Sequence, residues 1–376
     1  MHFFSKITLA SFAISALAHP GEHHEHNEAA ELSKREFKTH ARRGLAACAE
    51  KLQARGGVME RAAARRAATV AKHRQARGLA VRDTDSVLNT SHLSSEEYTP
   101  NTPANIIFAS NKTCILNPEG EVGPYWVPGE YIRTNVRDNQ PGVPIVLEGQ
   151  FIDVETCETI PDLYWDVWNC NSTGVYSGLV ANGNGNSADT SNYNATFLRG
   201  LQKTDADGVV TFESIFPRHY SGRTTHHHMV AHLNATVLPN NTLTGGTAAH
   251  VGQIFWDQDL INAVEATAPY NTNNVTLTTN ADDHVFLAET EDSDSDPVLE
   301  YVYLGNDLSD GLFGWITIAV NVSATYDPSY SFVYTASGGV AQSGGSDSGN
   351  GAGGNGTMPS GAPPSGTAIP SGVPKR

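Results

Sequence analysis

The sequence predicts an all-β core, an antiparallel β-sandwich, with a short helical N-terminal arm before it and a disordered C-terminal tail after it. Three observations carry this expectation. Short β-branched or aromatic runs recur along the middle of the chain: Pro144-Ile145-Val146-Leu147, Tyr164-Trp165-Asp166-Val167-Trp168, Val209-Val210-Thr211-Phe212, Met229-Val230-Ala231-His232-Leu233 and Trp315-Ile316-Thr317-Ile318-Ala319-Val320. Turns rich in Asn, Gly, Asp and Pro separate them, as in antiparallel sheets. Residues 34–80 are instead rich in Ala, Arg, Leu and Glu, good helix formers, with a break at Gly56-Gly57. From Ser343 onward Gly, Ser, Pro and Ala dominate, leaving too little apolar surface to offset the entropy of ordering.

Taken in order, residues 1–18 read as a secretory signal: Lys6 near the start, an apolar stretch from Ile7 to Leu17, and Ala16-Leu17-Ala18 as a small-x-small cleavage site. Residues 19–82 form a His-rich and then basic stretch with dibasic pairs Lys34-Arg35, Arg42-Arg43 and Arg65-Arg66. Directly behind a leader, this is a processed pro-segment or a helical arm rather than a nucleic-acid reader. The β-sandwich domain is expected over 83–335 and the tail over 336–376. Nine Asn-x-Ser/Thr sequons, at Asn89, Asn111, Asn171, Asn194, Asn234, Asn240, Asn274, Asn321 and Asn355, agree with export of an extracellular glycoprotein. No segment after the leader offers about 18 consecutive apolar residues, so no membrane span is expected. Formal net charge is −16, with 40 acidic against 24 basic residues, which favours solubility and gives no footing for nucleic acid.

Four cysteines, Cys48, Cys114, Cys157 and Cys170, are too few for a disulfide scaffold and show no Cys-x-x-Cys spacing. Cys157 and Cys170 bracket an apparent turn between two strands, so a bridge between them is the first expectation. Thr204-Asp205-Ala206-Asp207-Gly208 resembles part of a calcium loop but lacks the downstream glutamate, which leaves a tight hairpin turn closed by Gly208.

Chemistry concentrates in Pro217-Arg218-His219-Tyr220-Ser221-Gly222-Arg223-Thr224-Thr225-His226-His227-His228. On a strand, His226 and His228 project to one face about 6–7 Å apart, close enough to share a metal, while His227 points away. Tyr220 precedes them, and Tyr176 ends an upstream hydrophobic strand at a turn. Two phenols with two imidazoles form a hard donor set that suits ferric iron better than zinc or copper(I). With a free phenol pKa of about 10, only a strongly Lewis-acidic ion holds both as phenolates near neutral pH.

Here the chain resembles the intradiol ring-cleavage dioxygenases, closest to their secreted fungal branch. The resemblance runs over roughly residues 115–330, through Glu121-Val122-Gly123-Pro124-Tyr125-Trp126, Asp166-Val167-Trp168, Gly174-Val175-Tyr176-Ser177-Gly178, Thr204 to Gly208, Pro217 to Tyr220 and Arg223 to His228. It implies a transthyretin-like β-sandwich and an Fe(3+) cofactor held by Tyr176, Tyr220, His226 and His228. It further implies Tyr220 as an internal base, Arg223 as the group that stabilises charge on the bound substrate, and Gln253 as a second catalytic residue. The implied substrates are catechol-type diols, including plant- or lignin-derived phenolics, and O2; the products are cis,cis-muconate-type diacids. Tyr125, Trp126 and Tyr131 are candidates for contact with the aromatic substrate. His227 and Trp126 stand where the family more commonly has an apolar residue and a tyrosine. Two rival readings are a secreted β-sandwich binding module with a metal site that does not turn over, and a zinc hydrolase using His226, His228 and a carboxylate. Monomer or dimer is undecided.

Overall fold

The computed structural model describes residues 58–78, 113–114, 122–290, 296–330, 332–335 and 338–341. In chain order its main elements are α1 (Val58–Ala76), β1 (Thr113–Cys114), β2 (Pro144–Asp153), β3 (Tyr164–Trp168), β4 (Arg199–Lys203), β5 (Val209–Ile215) and β6 (His226–Leu233). There follow β7 (Thr236–Val237), β8 (Leu243–Thr244), β9 (Thr247–Phe255), α2 (Gln258–Glu265), α3 (His284–Thr290), β10 (Glu300–Tyr303), β11 (Leu312–Val320), β12 (Phe332–Thr335) and β13 (Gly338–Ala341). Every apolar run picked out in the sequence lies within or across one of these strands.

Two sheets face each other. One runs β1-β11-β2-β5, with β10 also paired to β11; the other runs β4-β3-β6-β9. The second is antiparallel throughout, whereas the first also contains parallel pairs, β1 with β11 and β11 with β2. Alternation along the strands explains the core. Ile145, Leu147 and Phe151 of β2 meet Trp165 and Val167 of β3 and Met229 and Ala231 of β6 between the sheets. Trp165 fits because Gly149 lies opposite: a Cβ on Gly149 would stand 2.5 Å from the indole.

The outward residues of β2 meet the arm. Ala63 and Val70 of α1 pack with Val146, Val302, Leu304, Phe313 and Trp315, and buried Arg66 donates to buried Glu148 at 2.9 Å. Arg74 Nε donates to the Leu304 carbonyl at 2.7 Å. The basic faces of this stretch are therefore spent on the sandwich over residues 58–76. The leader, the His-rich stretch, the pairs Lys34-Arg35 and Arg42-Arg43, and the sequons at Asn89, Asn111 and Asn355 lie outside the described residues, as does most of the tail.

Three expectations need correction. Cys157 is disulfide-bonded, but Cys170 is a free, buried thiol whose Sγ donates to the Arg218 carbonyl. The proposed Cys157–Cys170 bridge is therefore absent; Cys157 sits on the tight turn after β2, and Cys170 follows β3 toward the Arg218 segment. Asp205 to Gly208 does form a tight turn, closed by Gly208 N–H on the Asp205 carbonyl at 3.0 Å and with Gly208 at φ +72°. It is no hairpin, because β4 pairs with β3 and β5 with β2, so the turn crosses from one sheet to the other. Finally, β13 pairs antiparallel with β12 inside the stretch assigned to the tail, carrying ordered structure to Ala341.

Candidate metal centre and active site

β6 supplies the first two donors. Its pleat sends His226 and His228 to the outer face of the second sheet, and their Nε2 atoms lie 3.0 Å apart. His226 Nδ1–H donates to the Thr224 carbonyl at 2.6 Å, which fixes the tautomer and leaves the Nε2 lone pair aimed inward. His227 turns to the other face, as its position requires: it donates from Nδ1 to Asn169 Oδ1 at 3.0 Å and accepts from Trp256 Nε1 at 3.1 Å. Burial pushes the His227 imidazole down to about 3, so it stays neutral. The histidine in place of an apolar residue is thus a paired core group.

Tyr176 comes from the β3–β4 loop. Asn171 opens that loop by accepting from the Thr173 and Val175 amides at 3.0 and 3.1 Å, a local turn that asparagine favours. Asn184 then takes the Tyr176 amide at 2.7 Å and donates to the Tyr176 carbonyl at 2.8 Å. Asn192 donates to the same carbonyl at 2.8 Å. Tyr220 is held differently, by a tight turn in which the Arg223 amide donates to the Tyr220 carbonyl at 3.1 Å and Gly222 takes φ +80°.

Side-chain donor atoms converge. Tyr176 Oη lies 3.0 Å from His228 Nε2 and 3.5 Å from His226 Nε2, and Tyr220 Oη lies 3.4 Å from His226 Nε2. Neighbouring donors around one ion at bond lengths of about 2 Å are spaced in this way. Two phenols and two imidazoles fit iron(III). On the protein's own groups, burial pushes the Tyr176 phenol well up, with Tyr220 as the next cause; a bound cation is what would make it a phenolate. Trp168 stacks on His228 with ring centroids 4.9 Å apart and planes 3° from parallel.

Arg223 and Gln253 also arrive. Gln253 of β9 is the register partner of His228 and shares its face, and Arg223 Nη2 donates to Gln253 Oε1 at 2.5 Å. A residue that the sequence reading missed completes this part. Asp283, fully buried, accepts from Arg223 Nε at 2.8 Å and from the Thr224 amide at 2.7 Å. Its other oxygen accepts from the Val285 and Phe286 amides at the start of α3. Asp283 lies in an acidic loop with no motif; the one available signal was that a buried arginine requires a carboxylate.

The three candidates for substrate contact separate. Tyr125 abuts the donors, stacked on Tyr176 at 4.6 Å and edge-on to Tyr220 at 5.8 Å. Trp126, the next residue after a turn at Pro124-Tyr125, is engaged elsewhere: its Nε1 donates to Asp166 Oδ2 at 2.9 Å and its ring stacks on Trp168. Tyr131 is 38% exposed and packs edge-on against Tyr334. The structure does not bring Trp126 or Tyr131 to the donor cluster, which corrects those two expectations. Nor does a carboxylate join His226 and His228: among the described residues no group of three or more His, Cys, Asp or Glu side chains could hold a metal, against the zinc-hydrolase reading.

A family model described as Dioxygenase (Dioxygenase_C) matches residues 123–239. Among curated proteins nothing matches. Similar solved structures include an intradiol ring-cleavage dioxygenase from Tetranychus urticae, 29% identical, covering 57% of this chain and 98% of that one, with a TM-score of 0.46. Two others are 3-chlorocatechol 1,2-dioxygenase from Rhodococcus opacus 1CP (14% identical, 56% and 73% covered, TM-score 0.34) and catechol 1,2-dioxygenase from Pseudomonas arvilla C-1 (18% identical, 54% and 60% covered, TM-score 0.33). The matched segment spans Tyr125, Tyr176, Tyr220, Arg223, His226 and His228, so all four converging donors lie within the stretch that is similar to that family.

Proposed function

We propose that the protein is a secreted non-haem iron(III) dioxygenase that cleaves catechol-type diols with O2 between the two hydroxyl-bearing carbons, giving cis,cis-muconate-type diacids. The observation that carries the iron assignment is the convergence of Tyr176 Oη, Tyr220 Oη and the Nε2 atoms of His226 and His228 within 3.0–3.5 Å contacts. Fe(3+) held by these four side chains would supply Lewis acidity, enough to keep the phenols as phenolates near neutral pH and to accept both oxygens of the diol.

The chain's own residues divide the remaining work. Tyr176 is clasped at amide and carbonyl by Asn184, so it stays a fixed donor. Tyr220 sits on a four-residue turn with a glycine and is the donor that can yield, taking a substrate proton on its Oη. Arg223 places a positive charge beside the site, aimed by Asp283 and Gln253, to favour negative charge on the substrate oxygens. Tyr125 forms an aromatic wall next to both phenols and offers a face for a planar ring. Catechols, plant- or lignin-derived phenolics among them, fit this wall and the charge beside it.

Secretion is supported by the leader-like residues 1–18 and by exposed asparagines in the sequons at 194, 234, 240 and 274. Among the described residues no helix is long and apolar enough to cross a membrane. A visible absorption spectrum of purified protein, taken before and after anaerobic addition of catechol, tests the reading. A broad tyrosinate-to-iron(III) band that moves on addition, followed by O2 uptake on aeration, is expected. Colourless protein that stays colourless after iron reconstitution rejects it. Tyr176→Phe and His228→Ala should each abolish the band and the uptake.

A further inference from the structure

A second buried polar group lies behind Tyr176 and has no part in the chemistry above. Arg199, the first residue of β4, is 1% exposed. Its Cζ lies 5.8 Å from the centre of the Tyr176 ring, within the range where a cation is attracted by an aromatic face. Nε donates to the Ser177 carbonyl at 2.9 Å and to Ser177 Oγ at 3.1 Å, so the guanidinium is fastened to the residue that follows Tyr176. Nη1 stands 3.6 Å from Glu130 Oε1, near enough for an ion pair and too far for a hydrogen bond. Arg199 Nη1 and Nη2, Glu130 Oε1 and Asp166 Oδ1 are all buried without a hydrogen-bond partner.

Such an arrangement is a poor way to stabilise the fold, since buried polar atoms with no partner are costly. It is a good way to project charge: the fork is not consumed by a carboxylate, and its field reaches the neighbouring ring. We infer that Arg199 is a positioning residue that holds the Tyr176 ring in place and presents a fixed positive charge to the phenolate Tyr176 carries when iron is bound. The inference rests on the iron reading. It gives Tyr176 a permanent cation behind its ring, so that negative charge is retained on Tyr176.

Glu130 governs how much of that charge Tyr176 feels. It faces Arg199 on β4, Asp166 on β3, Arg133 on the segment before β2 and Tyr334 on β12. Burial pushes its carboxyl up to about 8, opposed by Arg199, reinforced by Asp166 and opposed again by Arg133. Below that pH Glu130 is neutral and the guanidinium is turned fully to the ring; above it, an ionised Glu130 offsets the cation.

The test is the tyrosinate-to-iron(III) band of the iron-loaded full chain, with melting temperature measured alongside. A cation beside the phenolate lowers its donor orbital, so Arg199→Gln should move the band to longer wavelength and Arg199→Lys should restore most of the wild-type position. The wild-type band should also move to longer wavelength as pH rises through about 8, and Glu130→Gln should abolish that movement. A wild-type band with Arg199→Gln leaving it in place while melting temperature falls would show a purely structural arginine and overturn the inference with the iron reading intact. Should Arg199→Gln fail to fold, the pH series decides: a wild-type band that does not respond, or one that responds equally in Glu130→Gln, overturns it. Absence of any band in iron-loaded wild type removes the iron reading and this inference with it.

Discussion

Asp283 is a single carboxylate with two duties. One oxygen fixes Arg223 Nε and the Thr224 amide, and the other takes the first amides of α3. Asp283→Asn keeps the shape but loses the charge and puts an N–H₂ where one set of donors points. Arg223 should then drift from its place beside the site, and kcat/KM should fall about a hundredfold with iron content unchanged, measured by steady-state O2 uptake and metal analysis. The loss should fall mainly on kcat, because the charge is needed where negative charge develops. Why the donors were legible in the sequence and Asp283 was not is a matter of distance along the chain. His226 and His228 declare themselves through the two-residue period of a strand, and Tyr220 lies six residues before His226. Asp283 reaches Arg223 across 60 residues, by the folding back of a loop with no periodicity to read. Tyr125 and Trp126 make the same point locally: adjacent aromatics are equal candidates until the backbone decides which one faces the site.

Among the elements, α1 was the least legible. Its composition promised a helix, but nothing in the arm itself says what that helix touches. The missing half lay in β2, where Glu148 alternates outward between Leu147 and Gly149 and is fully buried only because Arg66 covers it. Removing Arg66 leaves the buried Glu148 only the longer contacts of Arg65 at 3.3 and 3.4 Å, so Arg66→Met should cost about 3 kcal/mol in denaturant unfolding. The double change Arg66→Met with Glu148→Leu should recover most of it, since a packed apolar pair replaces the ions. The dibasic pair Arg65-Arg66 is helical, with Arg66 enclosed, so a dibasic protease acting on folded protein should leave this bond intact; a mass spectrum showing a new N-terminus at residue 67 would contradict that. In the core, Gly149→Ala sets a Cβ 2.5 Å from Trp165 and should cost about 1–3 kcal/mol. The tight turn at Asp205 to Gly208 was legible as a turn, but its crossing between sheets was not, because strand pairing is set by partners far along the chain.

At the scale of the whole molecule, pH acts through buried groups on the core side. Burial pushes both His227 and His250 down to about 3. Unfolded, each takes up a proton near pH 6.5, whereas folded it resists until about 3. Their contribution is therefore fully present above pH 6.5 and is lost as pH falls toward 3, at about 1.4 kcal/mol per pH unit for each histidine. Chemical denaturation followed from pH 7 to 4 should show about two protons taken up on unfolding. The sequons sort by the same logic of burial. Asn171 uses its Nδ2 on Gln140 Oε1 at 3.0 Å and its Oδ1 on the turn that carries Tyr176, so it should be unmodified in secreted protein. Asn234, Asn240 and Asn274 are exposed and should carry glycans, which deglycosylation in heavy-oxygen water with peptide mass mapping would reveal.

The parallel stack of Trp168 on His228, 4.9 Å between centroids, has an optical consequence. Trp168 is one of the five tryptophans in the chain and would sit beside a chromophore whenever ferric iron fills the donor cluster, with Trp126 stacked behind it at 6.2 Å. Their ultraviolet emission should be quenched in loaded protein and return when a chelator strips the ion, while Trp315, against α1 on the outer side of the other sheet, keeps emitting. The protein thus carries a built-in gauge of its own metal occupancy, readable in a fluorimeter without substrate or turnover.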